Sequence, residues 1–423
     1  MSQAPHDQQT HAYRWVILAI TIMIAFMSTG TRSTLGVFFK SIIADLQWDR
    51  GTISLVVAVN IWLSGLLQPF TGHVMDRFGA KWLFTVSLAI YGIGIALISL
   101  TQSVGYLLLV YGVIAACATA GASISLTNAL LAQWFSDARR GLAIGLNNMG
   151  SAMGQLALVP LSAVLLSTLG WRKSELYLGL AVIVVTVPLA LLIPRQRQAE
   201  EGSAAASGRL PARQGPLSTA SWSEALRSMP LWQINAGYFV CGMSVAIYST
   251  HLIPFATDRG FSNATAVATF SLLVASSAVG ALIAGAISDR IGRKNVLALA
   301  YFVRALAFVV LLGWRQEVAL YVFAVLGGLS WLATPGSVIA LTGEVYGMRA
   351  LGTLSGISLL AHQIGGGASV WLAGELHDLT GSYDISIILT IIGLLAASFV
   401  SFSISERRYS VRYLAPTPAP AGD

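Results

Sequence analysis

The sequence predicts an all-α membrane protein of twelve transmembrane helices in two six-helix bundles. Three observations predict it. Hydrophobic residues make up 55% of the 423 and charged residues only 10%. A soluble domain carries about 25% charged residues, so the solvent of this chain is mostly lipid. Apolar runs near the length that crosses a bilayer, about 20 residues, recur twelve times. A short motif also occurs twice. GHVMDRFGAK holds Gly72, Asp76, Arg77, Gly79 and Lys81; GAISDRIGRK holds Gly285, Asp289, Arg290, Gly292 and Lys294, each 213 residues further on. One half is therefore a diverged copy of the other in the same orientation, a pattern of secondary transporters.

The runs lie at 15–38, 52–71, 82–100, 106–133, 141–168, 176–194, 231–255, 265–288, 295–313, 318–342, 351–374 and 384–404. The first follows the polar start MSQAPHDQQTHAYR. It is too long for a signal-peptide core and lacks an Ala-x-Ala end, so it reads as a retained helix. Runs one to six make an N-terminal bundle, residues 1–194. Residues 195–230 begin RQRQAEEGSAAASGRLPARQGP, without apolar periodicity, and read as a flexible linker. Within it, Trp222 to Met229 has the pattern of a short amphipathic helix on the membrane surface. Runs seven to twelve make the C-terminal bundle, residues 231–404. The tail, 405–423, ends APTPAPAGD and has the composition of a disordered segment.

Basic residues set the orientation. With the N-terminus in the cytoplasm, inward segments hold seventeen Lys and Arg, and outward segments hold six: Lys40, Arg50, Arg172, Lys173, Arg259 and Arg315. That bias puts both termini and the linker in the cytoplasm. It also explains the formal net charge of +7 without nucleic acid. Cys117 and Cys241 lie in separate apolar runs and give neither a disulfide framework nor metal spacing. There is no GxxxxGK[ST] loop and no cluster with metal-ligand spacing. ATP drive, metals, cofactors and enzymatic activity are therefore not expected.

The motif copies fall between runs two and three and between runs eight and nine, both on the cytoplasmic side. Gly72 and Gly285 permit close helix approach. Asp76 and Asp289 can face a helix N-terminus or pair with Arg77, Lys81, Arg290 or Lys294. Such a cluster can lock two helices in one state and free them in another, a cytoplasmic gate for alternating access. A basic turn that only sets topology is the plainer reading. Two copies in register weigh against it.

The twelve runs, the linker and these loops resemble the major facilitator superfamily over nearly the whole chain. LGVFFKSIIADLQWDRGTIS, WFSDARRGLAIGLNNMGSAMGQ and GWRKSELYLGL are similar to the monocarboxylate transporter and oxalate–formate exchanger branch. The resemblance implies two bundles rocking about a central cavity lined by helices 1, 4, 7 and 10. There is one departure. Where monocarboxylate transporters usually carry an arginine, four residues before the motif glycine of helix 8, this chain has Ala281. A carboxylate would need another cation.

Two arginines fall within membrane runs. An arginine near a helix centre costs about 2.5–3.5 kcal/mol on insertion scales. On these boundaries all 18 acidic residues map to loops, termini or helix ends, so no buried carboxylate is expected to neutralise either. Arg32, with Ser28, Thr29 and Gly36 on its face, either meets a substrate anion in the cavity or snorkels to the outer interface. Arg304 either reaches ligand between neighbouring helices or locks a helix contact by bonding carbonyls. His362, beside Gln363, either carries a transported proton or sits as a neutral, bonded imidazole. His251 closes run seven and is placed near the outer mouth. Asn60, Asn128, Asn147, Asn148, Gln155, Tyr248 and Trp331 complete the set, each a substrate contact or helix glue. The candidate substrate site is Arg32, Asn60, Asn128, Asn148, Tyr248, Arg304, Trp331, His362 and Gln363. Gly327, Gly328, Pro335 and Gly336 around Trp331 suggest a helix that bends.

The function expected is secondary active transport of a small organic anion, a carboxylate by the resemblance, with proton symport or anion exchange. An anion entering against about 100 mV costs roughly 2.3 kcal/mol per charge, and one accompanying proton removes that cost. A proton-coupled exporter of drugs or amphiphiles is the rival, weakened because no acid is visible in an N-terminal helix. A non-transporting membrane sensor is a third reading, without a signalling surface in the linker or tails. The setting expected is a bacterial inner membrane, with the protein a monomer. Function should lie where the repeat is broken. At the 213-residue offset Arg32 answers Val245, Arg304 answers Tyr91, and Gln68 answers Ala281.

Overall fold

The computed structural model describes residues 4–135, 137–194, 222–346 and 351–404; within these, the side chains of residues 4–12, 69, 76, 132–133, 137–141, 222–223, 289 and 351–352 lie outside the description. Most of the linker and the tail are therefore outside it, as are the Asp76 and Asp289 side chains. All regular structure described is helical. The first crossing is α1 (Ala4–Ser33) and α2 (Leu35–Leu46), jointed at Thr34, followed by α3 (Arg50–Phe78) and α4 (Ala80–Ile98). The fourth is broken into α5 (Val104–Leu107), a π-helical stretch (Leu108–Ala115), α6 (Ala116–Gly121) and α7 (Ile124–Trp134). The helix α8 (Asp137–Leu191) holds the fifth and sixth crossings, parted at Gly170, where φ is 75°. After α9 (Trp222–Ala225) come α10 (Met229–Asp258), α11 (Asn263–Ile291) and α12 (Arg293–Gly313). The tenth crossing is split into α13 (Glu317–Trp331) and α14 (Ala333–Tyr346), and α15 (Leu351–Thr380) and α16 (Asp384–Ser403) complete the set.

Ten spans are apolar and long enough to cross a bilayer. The span Leu142–Leu191 counts twice because Gly170 breaks it. The one crossing these spans leave out is the eleventh, α15, made more polar by His362, Gln363, Glu375, His377 and Asp378. The expected bend at Trp331 is present, as the break between α13 and α14. The last part of the linker differs from expectation. Helix is confined to Trp222–Ala225, Ala225 is fully buried, and the Trp232 indole donates to the Leu226 carbonyl at 2.7 Å. It packs into the C-terminal half because its apolar residues find a partner there.

The duplication is visible in the backbone. Gly79 and Gly292 end one helix and begin the next with φ/ψ of 85/154° and 88/150°. Positive φ of this kind is glycine's. Other glycines allow backbones to touch. A Cβ at Gly154 would overlap the Phe26 carbonyl, joining α1 to α8; one at Gly242 would overlap the His362 carbonyl, joining α10 to α15.

The halves meet where α3 packs on α15, α8 on α11, and α2 on α10. We call the end with the motif loops the linker end and the opposite one the far end. Contact between α3 and α15 runs from Arg50 beside Asp378 to Gly65 beside Gln363. That is fifteen residues of each helix, or about 22 Å at 1.5 Å per residue. Gly72, Gly145, Gly285 and Gly356 all face open space, with no atom within 4 Å of a Cβ position. The close approach expected at Gly72 and Gly285 is not made in this conformation.

Candidate functional site

In the C-terminal half the site is organised by the break in the tenth helix. Ending α13 at Trp331 leaves its last carbonyls without intrahelical partners. Arg304 is 0% exposed, and its guanidinium supplies the donors. Nη2 donates to the Ser330 carbonyl, to the Trp331 carbonyl at 3.3 Å and to Thr334 Oγ1 at 3.4 Å. Nη1 donates to Ser244 Oγ at 3.0 Å and Cys241 Sγ at 3.3 Å, and Nε to Ser330 Oγ at 3.2 Å. The negative end of a helix thus meets a buried cation. Arg304 fixes the bend and holds it to α10.

Around this knot lie the other C-terminal candidates. Tyr248 stacks edge-on to Trp331 at 5.0 Å, and its buried hydroxyl has no hydrogen-bond partner. His362 is half-buried, tilts on Tyr238 at 4.7 Å and meets Gln363 Oε1 at 3.3 Å. The Gln363 side chain packs over Gly65 of the other half, and the Trp62 indole donates to the Ile364 carbonyl at 3.1 Å. His362 and Gln363 therefore sit beside the linker-end edge of the contact between halves.

In the N-terminal half the amides are engaged. Asn60 donates to the Tyr111 carbonyl at 2.7 Å, tying α3 to the π-helical stretch. Asn147 donates to Asn128 Oδ1 at 2.8 Å, and Asn128 donates on to Asn148 Oδ1 at 3.1 Å. This ladder joins α7 to α8 and ends on an exposed Asn148. Gln155 accepts from Ser33 Oγ at 3.2 Å. Arg32 differs from all of these. It is half-buried in the last turn of α1, with no hydrogen bond or ion pair found, and its charge acts on Tyr91 and Tyr111. Gly36, one turn on, packs against the Ser249 and Thr250 carbonyls of α10.

One expectation is overturned. Glu175 is 2% exposed, one turn beyond Gly170. The positive φ of Gly170 lets the sixth crossing start early, drawing this acid inside the bundle.

The motif cations lie apart from these groups. Arg77 is exposed, over the Phe78 ring at 5.4 Å, and Arg290 is exposed; Lys81 is half-buried. Lys294 donates to the Ile404 carbonyl at 2.8 Å, anchoring its loop to the end of α16. Beside it, Arg293 pairs with Glu344 at 2.7 Å.

At the far end a charged latch joins the halves, which inspection of membrane-embedded residues alone misses. Asp258, last residue of α10, takes Lys40 at 2.7 Å, both Arg50 terminal nitrogens at 2.6 and 2.9 Å, and His377 Nε2 at 3.4 Å. Asp378 accepts the Arg50 and Gly51 backbone N–H groups at 3.3 and 2.6 Å, capping α3 from the other half. Arg50 also donates to Tyr383 Oη at 2.8 Å, which meets buried His251 at 3.2 Å. A signal was available: at one end, the latch cations Lys40 and Arg50 come from one half and its acids Asp258 and Asp378 from the other.

Comparison with known proteins agrees with this architecture. The chain is 25% identical over 395 residues to the "Uncharacterized MFS-type transporter YcxA" of Bacillus subtilis, covering 90% of this chain and 93% of that one. It is 26% identical over 430 residues to the "Probable sulfoacetate transporter SauU" of Cupriavidus necator, covering 95% and 98%. It is 23% identical over 393 residues to "Monocarboxylate transporter 13" of Rattus norvegicus, covering 92% and 88%. In fold it resembles a crystal structure of a bacterial homolog of the human lysosomal transporter Spinster, with a TM-score of 0.72, 16% identity and coverage of 92% and 96%. The model of the Major Facilitator Superfamily matches residues 21–370, a stretch holding both motif loops and both broken helices, and the chain belongs to that superfamily of membrane transporters.

Proposed function

We propose that this transporter moves a small organic anion, a carboxylate, by alternating access, with proton symport or anion exchange. The observation that carries this reading is the contrast between the two membrane arginines. Arg304 is consumed by the bent helix. Arg32 is half-buried with no bonded partner among the described residues, and one turn on, Gly36 of α2 packs against the other half. An anion entering between the halves meets a half-buried guanidinium able to bind it bidentately. The relatives whose names include sulfoacetate and monocarboxylate transport support the substrate class. Two bundles, residues 1–194 and 231–404, then rock about this region. The charge bias supports a cytoplasmic linker end, and the four glycines that face open space there support its being the open side.

A thermal-shift series on purified protein tests the reading, because a ligand bound to the folded state raises its stability. Sulfoacetate, lactate and oxalate are the first probes. A saturable rise with one of them, absent in Arg32→Ala, is expected. No response to any organic anion sinks the proposal.

One observation favours the exporter reading: Glu175 supplies a buried acid in the N-terminal half. Drug sensitivity of a deletion strain separates the two. Altered resistance without altered anion uptake selects the exporter.

A further inference from the structure

Among the described residues, Glu175 is the only buried acidic side chain. It has neither a hydrogen-bond partner nor an ion-pair partner among the described residues. Of the two neighbouring cations on its own helix, Lys173 is exposed and Arg172 is committed elsewhere. Arg172 pairs with Asp45 of α2 at 3.0 Å and donates to the Ser99 and Thr101 carbonyls at 2.9 and 2.8 Å. Trp171, one turn toward the far end, is buried and donates to Asp45 at 3.2 Å. These groups lie about one turn from the acid on its far-end side, the position of a lid. Tyr91 of α4 and Tyr111 of the π-helical stretch lie within electrostatic reach of both Glu175 and Arg32.

An ionised carboxylate without a partner costs far more in such surroundings than the neutral acid. We propose that Glu175 is a proton-binding site, holding a proton as the carboxylic acid in this conformation and releasing it to water when the far-end lid opens. The chemistry is a single O–H bond made and broken, with water as the other partner. Arg32 gives the site its link to substrate. Where its positive charge reaches Glu175 it favours the ionised form, and an anion seated on Arg32 cancels that charge and favours the acid. Proton and anion then bind with positive coupling, and each strengthens the other by the same factor. This link rests on the anion reading above. The proton site itself does not.

Infrared difference spectra of the protein in nanodiscs, recorded across a pH step, test the site without substrate. A protonated-carboxyl band that titrates in the wild type should vanish in Glu175→Gln and return, shifted, in Glu175→Asp. An unchanged band in Glu175→Gln overturns the proposal. In proteoliposomes, with sulfoacetate and lactate as probes, a gradient of about one pH unit supports about tenfold accumulation per coupled proton. Glu175→Gln should abolish accumulation and keep exchange at equal pH. Undiminished accumulation overturns the coupling. If the wild type moves neither probe, the anion reading fails and the infrared result still decides the proton site. If Glu175→Gln does not fold, Glu175→Asp decides: an unshifted band overturns the proposal.

Discussion

Arg304 bonds Cys241 from the place in the fold where Tyr91 bonds Ser28. Each residue lies 213 positions from its counterpart. The Arg304 guanidinium donates to Cys241 Sγ at 3.3 Å, and the Tyr91 hydroxyl to the Ser28 carbonyl at 3.3 Å. Duplication kept the contact between the first and third helices of each half and changed its chemistry. The fourth helix, broken after Gly121, has Thr71 on its Ala120 carbonyl at 3.2 Å. The tenth has a charged fork on two carbonyls. The C-terminal half is thereby given the firmer bend.

Arg304→Ala leaves several buried acceptors unpaired, each costing about 1–3 kcal/mol. The melting temperature in detergent should fall clearly. Arg304→Lys should recover only part of it, because an ammonium cannot span the fork. Cys241→Ser should be nearly neutral, since its hydroxyl also accepts. Full stability of Arg304→Ala would show that the bend does not need the guanidinium.

Arg32→Ala should lower anion uptake by at least about tenfold, the loss expected for a charge-assisted contact of roughly 1.5–3 kcal/mol. Its melting temperature should stay near that of the wild type, because Arg32 has no bonded partner. Proteoliposome uptake and a melting curve on one preparation check both. Normal uptake, or a collapse of stability equal to that of Arg304→Ala, contradicts the assignment.

Asp258→Asn removes the charge shared by Lys40, Arg50 and His377. Exposed pairs contribute little singly, but this latch is a bidentate, partly buried hub. Losing about 1.4 kcal/mol of bias toward the closed far end shifts the populations about tenfold. Thiol labelling from the far side reads that shift, at Ser249→Cys in a Cys117→Ser background. Arg50→Gln should act in the same direction, and the double variant should add less than the sum. Strict additivity would separate the two residues.

Two glycine substitutions should part company. Gly242→Ala forces a methyl into the His362 carbonyl and should destabilise the protein by about 1–3 kcal/mol or more. Gly285→Ala meets nothing here and should keep or slightly raise stability, by up to about 1 kcal/mol from helix propensity. It should still slow transport, because the linker end must close during the cycle. A Gly285→Ala protein with wild-type turnover would remove the motif glycine from the gate.

The sequence by itself determined the solvent, the crossings and the duplication. These properties are one-dimensional: composition, runs of apolar residues, and a motif recurring at a fixed offset. It also exposed the two membrane arginines and the bend at Trp331. It left open which arginine is spent. That was decided by the end of α13, whose carbonyls reach Arg304 only after the chain has folded back. It misplaced Glu175, because a single glycine angle at Gly170 shifts the start of a helix. It left the latch unread as a pair, because Arg50 and Asp258 stand 208 residues apart. Partnership of charges depends on which helices meet, and packing settles that.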